Sequence, residues 1–217
     1  MLVTELLLVT IASYLIGSIP FGYLIARHKA NIDITSFGSG RIGATNVLRT
    51  LGRKMAAIVA VLDLLKGVTA VLLAGVMVGH SYIMVGDYHL GILTAQVAAA
   101  VAAVAGHIFP IFNHFKGGRG VATFFGGFIA LYPLAAIFGG EVFIIGAGLT
   151  GFASLGSIAG VAGAYAVMIP LSLHSGIPIE YLFYSLIGST IIIVMHRDNI
   201  QRLIAGKERS FSEKPIK

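Results

Sequence analysis

Apolar stretches of membrane-crossing length recur along this 217-residue chain, and no other feature narrows its fold as much. A crossing helix needs about 20 predominantly apolar residues, range roughly 17–25. Seven stretches read as spans, at about 2–26, 55–79, 90–109, 121–138, 141–153, 158–173 and 179–195. The fifth is short and the Gly139-Gly140 break before it is ambiguous, so five or six crossings are the alternatives. A mean hydropathy of +0.91 with 11% charged residues agrees, since soluble domains carry about 25%. The first run has no Lys or Arg ahead of it and no small-residue cleavage site after it, which predicts a span rather than a signal peptide. The expected fold is an all-α polytopic membrane bundle forming one domain over 1–217, with Gly156-x-x-x-Gly160 suited to close helix packing.

Charge placement orients that bundle. The chain holds fifteen Lys and Arg and a net charge of +6. Six lie at Arg27, Lys29, Arg41, Arg49, Arg53 and Lys54, two at Lys116 and Arg119, and six at Arg197, Arg202, Lys207, Arg209, Lys214 and Lys217. Lys66 falls inside the second span, and the loops around residues 80–89, 141 and 174–180 contain none. The positive-inside rule then predicts a cytoplasmic face for the three basic segments, an external N-terminus, a cytoplasmic C-terminus and an odd number of spans. These cations stand beside spans and mix with Gly rather than with aromatics, so a membrane-side anion is a better partner than nucleic acid.

Gly38-x-Gly40-x-x-Gly43 spells a dinucleotide-binding fingerprint, but what precedes it is an apolar run too long for a buried strand. The spelling recurs at Gly146-x-Gly148-x-x-Gly151, and 28 glycines make chance matches expected. Zero cysteines excludes disulfides, Cys-ligated metals and a thiol nucleophile.

Three basic segments carry the chemistry. In the first, Gly38, Gly40 and Gly43 let backbone N–H groups converge on an anion, beside Ser39, Arg41, Thr45, Asn46 and the guanidinium fork of Arg49. It reads equally as a flexible loop with an ordinary helix start at Thr45. The second, His107 followed by Lys116-Gly117-Gly118-Arg119-Gly120, opens into an apolar helix, where backbone donors favour phosphate. It lacks Walker A spacing, and His107 reads equally as an interfacial histidine. The third runs from His196-Arg197-Asp198-Asn199 to Glu208, with Ile200, Leu203 and Ile204 on one face of an interfacial helix. Asp63 and Lys66, three apart in a span, can pair as a strut or serve chemistry. Ser154-Leu155-Gly156-Ser157 reads as a polar interruption between spans five and six.

These blocks, with Gly17-Ser18-Ile19-Pro20-Phe21-Gly22 and Leu62-Asp63-Leu64-Leu65-Lys66-Gly67, resemble in order and spacing the signature of the bacterial acyl-phosphate:glycerol-3-phosphate acyltransferase family. The family usually has Asn where Arg41 stands and Lys where Arg119 stands. The resemblance implies acyl transfer from acyl phosphate to the 1-hydroxyl of glycerol 3-phosphate, making lysophosphatidic acid for phospholipid synthesis at the cytoplasmic face of the bacterial inner membrane. It implies Ser39, Arg49, Arg119, Ser157, His196 and Asn199 as catalytic. Ser39 and Arg49 would hold one phosphate, and Lys116, the Gly117-Gly118 backbone and Arg119 another. Gly38, Gly40, Arg41, Gly43, Thr45, Asn46, Lys66, His107 and Gly120 complete the expected substrate contacts. Neither metal nor cofactor is expected. Besides the substrates and the bilayer, the soluble phosphate acyltransferase that makes acyl phosphate is an expected partner. Either a non-bridging oxygen of the acyl phosphate takes the hydroxyl proton while His196 binds phosphate, or His196 is the base; substrate assistance is the expectation.

Two rivals compete. His28-x4-Asp33 matches the motif of thioester-dependent glycerolipid acyltransferases, but no Pro-Glu-Gly-Thr block follows. A transporter of an organic phosphate would suit the spans and glycines, but no internal repeat is evident.

Overall fold

The computed structural model describes residues 2–86, 88–211 and 213; the terminal cations Lys214 and Lys217 lie outside them. The chain runs α1 (Leu2–Gly17), α2 (Phe21–Ala30), α3 (Ala44–Leu51), α4 (Arg53–Val78), a hairpin of β1 (Ile83–Val85) and β2 (Tyr88–Leu90), then α5 (Ile92–Ile108), α6 (Val121–Leu131), α7 (Pro133–Thr150), α8 (Ala153–His174), α9 (Ile179–Met195) and α10 (Arg197–Ile204). The strands pair antiparallel, Ile83 opposite Leu90 and Val85 opposite Tyr88. No βαβ unit exists among the described residues, and Gly146, Gly148 and Gly151 lie in or at the end of α7. The dinucleotide reading ends there.

Among the described residues, five segments are long and apolar enough to cross a bilayer: α1 with α2, α4, α5, α7 and α8. A sixth arises if α9 and α10, bent by 59°, count together, while α6 is only 11 residues long. The boundaries expected for the fourth and fifth spans are corrected. The break falls at Tyr132-Pro133, where Pro at the first helical position starts α7. Gly139-Gly140 interrupts nothing. Gly139 sits against α8, where an added Cβ would stand 2.8 Å from the Gly160 carbonyl oxygen, and one on Gly160 would stand 2.7 Å from that of Gly139. The glycines permit backbone-to-backbone contact, as the spacing of Gly156 and Gly160 suggested. The next break lies at Gly151-Phe152, so Ser154 to Ser157 form the first turn of α8, not an interruption. The first expected span is also divided: α1 ends at Gly17 and Pro20 precedes α2.

α4 and α6 approach as closely. A side chain on Gly126 would overlap the Leu64 carbonyl, and one on Gly67 would overlap Thr123 and Gly127. Around α6 the core is aromatic, with Phe124, Phe128 and Tyr184 in mutual ring contact and the Tyr184 hydroxyl donating to the Phe124 carbonyl at 2.8 Å. This packing sets α6 between α4, α5 and α7 with its N-terminus at the basic end of the bundle.

Candidate active site

At that basic end a cavity of about 600 Å³ gathers residues from the stretches 38–49, 107–122, 153–157 and 196–209 and from α4, α6 and α7. Its polar end holds Ser39, Arg41, Arg49, Arg119, Ser157, His196, Asn199 and Arg202; its apolar arm is walled by Val61, Leu64, Phe125, Ile129, Phe143 and Ile144 from α4, α6 and α7.

The glycine loop before α3 is shaped by Asn46. This buried amide donates through Nδ2 to the carbonyls of Ile34, Phe37 and Arg41 at 3.1, 3.0 and 2.8 Å, and its Oδ1 accepts from Ser39 N–H at 3.2 Å. These bonds tie Asn46 to the loop and hold Ser39 and Arg41 in place, and Asn46 itself borders the cavity. Gly38 and Gly40 have φ of 56° and 67°, the left-handed region that favours glycine. Gly43 caps α3, and Gly43 and Thr45 border the cavity while Gly40 does not.

The second loop leans on His107. Gly118 N–H donates to the His107 carbonyl at 3.1 Å, and a Cβ at Gly118 would overlap His107 Nε2. Behind that ring lies a buried cluster: Lys66 Nζ is 2.9 Å from Asp63 Oδ1, and His107 Nδ1 is 3.5 Å from the same oxygen and 3.4 Å from Lys66 Nζ. Lys66 also sits over the Phe21 ring at 5.0 Å. Lys66, Lys116, Gly117 and Gly40 are the expected substrate contacts absent from the cavity wall. Lys66 is turned to Asp63, and Lys116 is exposed. Gly118, Arg119 and Gly120 do line it, with Gly120 capping α6.

Arg119 is the centre of positive charge. Burial, with Arg41 and Arg202 nearby, holds its guanidinium down at about 10, so it remains a cation at neutral pH. Its Nε is buried with no hydrogen-bond partner among the described residues. A crowded, under-paired guanidinium favours a dianion, because charge-assisted N–H···O bonds recover what burial costs. His196 is buried between α9 and α10, with Nδ1 2.8 Å from the Ile192 carbonyl. A carbonyl only accepts, so Nδ1 carries the proton. Burial and the Arg119 charge push the imidazole down to about 4, which leaves Nε2 an unprotonated acceptor at neutral pH.

Sequence reading missed the C-terminal strap. Glu208, from the segment after α10, accepts from Ser154 Oγ at 3.0 Å, Asn199 Nδ2 at 2.7 Å and Arg202 Nε at 2.8 Å. Arg49 points at the strap as well, Nε to the Ser210 carbonyl at 3.2 Å and Nη2 to that of Arg209 at 3.0 Å. Burial lowers its pKa. Arg209 Nη1 donates to the Gly38 carbonyl at 2.8 Å. Ser157 Oγ donates to the Ala153 carbonyl at 2.7 Å and keeps its acceptor lone pairs. His28 and Asp33 stand outside the cavity wall; Asp33 is exposed and accepts from Thr35 N–H and Oγ1 at 2.9 and 2.7 Å, bonds that lower its pKa. The thioester-type pair is therefore a turn cap.

Fold and cavity define a class: a polytopic helical membrane protein with a cationic site at one end and an apolar arm leading from it. A family model described as glycerol-3-phosphate acyltransferase matches residues 7–206. The chain belongs to that family. It is 64% identical over 214 residues, 99% of both chains, to a protein named glycerol-3-phosphate acyltransferase 3 from Dehalococcoides mccartyi. It is 40% identical over 207 residues to a glycerol-3-phosphate acyltransferase from Halalkalibacterium halodurans, covering 95% of this chain and 96% of that one. Among solved structures it resembles PlsY (YgiH), an integral membrane glycerol 3-phosphate acyltransferase, in its glycerol 3-phosphate form. That match has a TM-score of 0.81 and 36% identity over 94% of each chain. The lysophosphatidic acid form matches with a TM-score of 0.79.

Proposed function

We propose that this chain transfers a fatty acyl group from acyl phosphate to the 1-hydroxyl of glycerol 3-phosphate, at the cytoplasmic face of a bacterial inner membrane. The observation that carries the reading is one cavity joining Arg41, Arg49, Arg119 and Arg202 to an apolar arm whose Val61 and Ile144 are exposed on the bundle's flank. Two phosphorylated substrates suit the cations, and a fatty chain arriving from lipid suits the arm. Seven crossings with an external N-terminus follow if α6 is completed by its flanking loops and α9 crosses alone. Acyl phosphate would come from a soluble phosphate acyltransferase acting at the same face.

The glycerol hydroxyl oxygen attacks the acyl carbon; the carbon–oxygen bond to phosphate breaks and phosphate leaves with the bonding pair. His196 Nε2 accepts from the neighbouring 2-hydroxyl of glycerol and fixes the substrate, so the attacking 1-hydroxyl keeps its own hydrogen turned toward the donor. An imidazole held near 4 with its proton on Nδ1 is neutral and presents Nε2 as an acceptor, which suits a glycerol hydroxyl better than proton abstraction. A non-bridging oxygen of the donor takes the proton. Arg119 and Ser39 hold phosphate, with the three N–H groups of Arg49 that the strap does not engage. The buried Oδ1 of Asn199, without a partner among the described residues, suits a glycerol hydroxyl. Purified protein in detergent, given acyl phosphate, acyl-CoA or acyl carrier protein with glycerol 3-phosphate, is expected to turn over only the first, without added metal or nucleotide. Comparable turnover with a thioester overturns the donor. No product in detergent, with phosphate-ester uptake into sealed vesicles, would favour the transporter instead.

A further inference from the structure

Between α5 and α6 the chain closes a small tied loop. Gly118 N–H donates to the His107 carbonyl at 3.1 Å, Phe115 N–H to that of Pro110 at 2.9 Å, Lys116 N–H to that of Asn113 at 3.0 Å and Asn113 Nδ2 to that of Lys116 at 2.6 Å. A side chain on Gly117 would overlap the carbonyls of His107 and Ile108, so the turn is packed on its own stem. The Tyr14 hydroxyl of α1 fastens it further, donating to the Phe109 carbonyl at 2.7 Å. One side of this unit, Gly118 to Gly120, belongs to the cavity. The other displays Phe109, Ile111, Phe112 and Phe115 at 48, 48, 60 and 58% exposure. His114 and Lys116 are exposed beside them.

Outward apolar residues on a spanning helix are explained by lipid tails. Four within seven residues of an irregular segment are not, and such a cluster marks an interaction surface. We infer that the 109–115 loop is an interfacial wedge, its three phenylalanines and Ile111 seated at the boundary between headgroups and acyl chains, with Lys116 and His114 reaching lipid phosphates. Lipid is the fitting occupant for three reasons. The loop joins two membrane-embedded helices across only residues 109–120, which keeps it at the surface. Many of its backbone groups are already bonded, the N–H of Phe109, Asn113, Phe115, Lys116 and Gly118 and the carbonyls of Phe109, Pro110, Asn113 and Lys116, which lowers the cost of facing the acyl boundary while the rest reach headgroups and water. Aromatic side chains beside cations are also the composition that membrane interfaces favour. Lys116 thereby gains a role outside the cavity. This inference rests on membrane embedding and not on the acyl-transfer chemistry.

The chain has no tryptophan, so Phe112→Trp introduces a single fluorescent reporter. Phe115→Trp serves as a second, in case the first variant fails to fold. In vesicles of phosphatidylethanolamine and phosphatidylglycerol, each indole is expected to emit to the blue of a water-exposed indole. Each should also be quenched by lipids brominated high on the acyl chain and spared by aqueous acrylamide. Water-like emission with strong acrylamide quenching overturns the wedge. Protection that arises only on adding a soluble protein would show a protein partner and overturns it equally. Loss of acyl transfer with the lipid quenching intact would strike the proposed function and leave the wedge standing.

Discussion

Arg119 puts a guanidinium in a cavity already lined by Arg41, Arg49 and Arg202. On the proposed reading Arg119 serves by its positive charge, so Arg119→Lys is expected to keep activity within a few-fold. Arg119→Gln removes a charge-assisted bond worth about 1.5–3 kcal/mol, a KM rise of roughly 10- to 100-fold for a phosphorylated substrate. Steady-state kinetics on both variants decide it; an equally damaged Lys variant would show that the fork itself is used. His196 gives a second test. Its folded pKa of about 4 lies below the ordinary 6.5, so the folded state resists protonation. The stability this represents is complete above pH 6.5 and lost as pH falls toward 4, on the order of 3 kcal/mol at the acid end. His196→Asn removes that dependence. Melting temperatures of the two proteins should run parallel above pH 6.5, with the wild type losing ground below it. Parallel curves down to pH 4 would contradict a neutral buried ring.

Helix pairing in this bundle is decided by single glycines, and α7 against α8 shows how. A methyl at Gly139 would stand 2.8 Å from the Gly160 carbonyl oxygen and 2.9 Å from Ala164 Cβ, whereas one at Gly148, on the same helix, meets nothing within 4 Å. Gly139→Ala should therefore destabilise by about 1–3 kcal/mol through overpacking. Gly148→Ala should not, since Ala is the better helix former. Thermal unfolding in detergent compares them, and an equal response would remove the close approach from the account. The same contacts explain what sequence conveyed and what it did not. Apolar length reveals that helices exist, and Lys-Gly-Gly-Arg-Gly marked the start of α6 because a cap is a local event. Helix ends inside continuous apolar sequence carry no such mark. Gly139-Gly140 looked like a break because glycine's role there, packing on α8, depends on a neighbour that sequence does not display. Most of the expected site residues do meet in one cavity. The strap escaped notice because the partners of Glu208, Ser154 and Asn199, come together only in three dimensions.

On the scale of the whole molecule, the basic loops and the cavity occupy one end, and the β1–β2 hairpin stands between the other ends of α4 and α5. A single crossing by each of those helices puts the two ends on opposite faces of the membrane. The absence of cysteine makes this measurable without background. Gln201→Cys places an exposed thiol on α10, and Met84→Cys places one in the hairpin, where Met84 is 51% exposed. The positive-inside asymmetry predicts that a membrane-impermeant maleimide labels the Met84→Cys protein in intact spheroplasts. The Gln201→Cys protein should be labelled only in inverted vesicles or after permeabilisation. Labelling of both positions from one side would refute the proposed topology. Cytoplasmic access at position 84 would invert the bundle and set the cationic cavity facing away from soluble glycerol 3-phosphate, which the proposed reaction cannot accommodate.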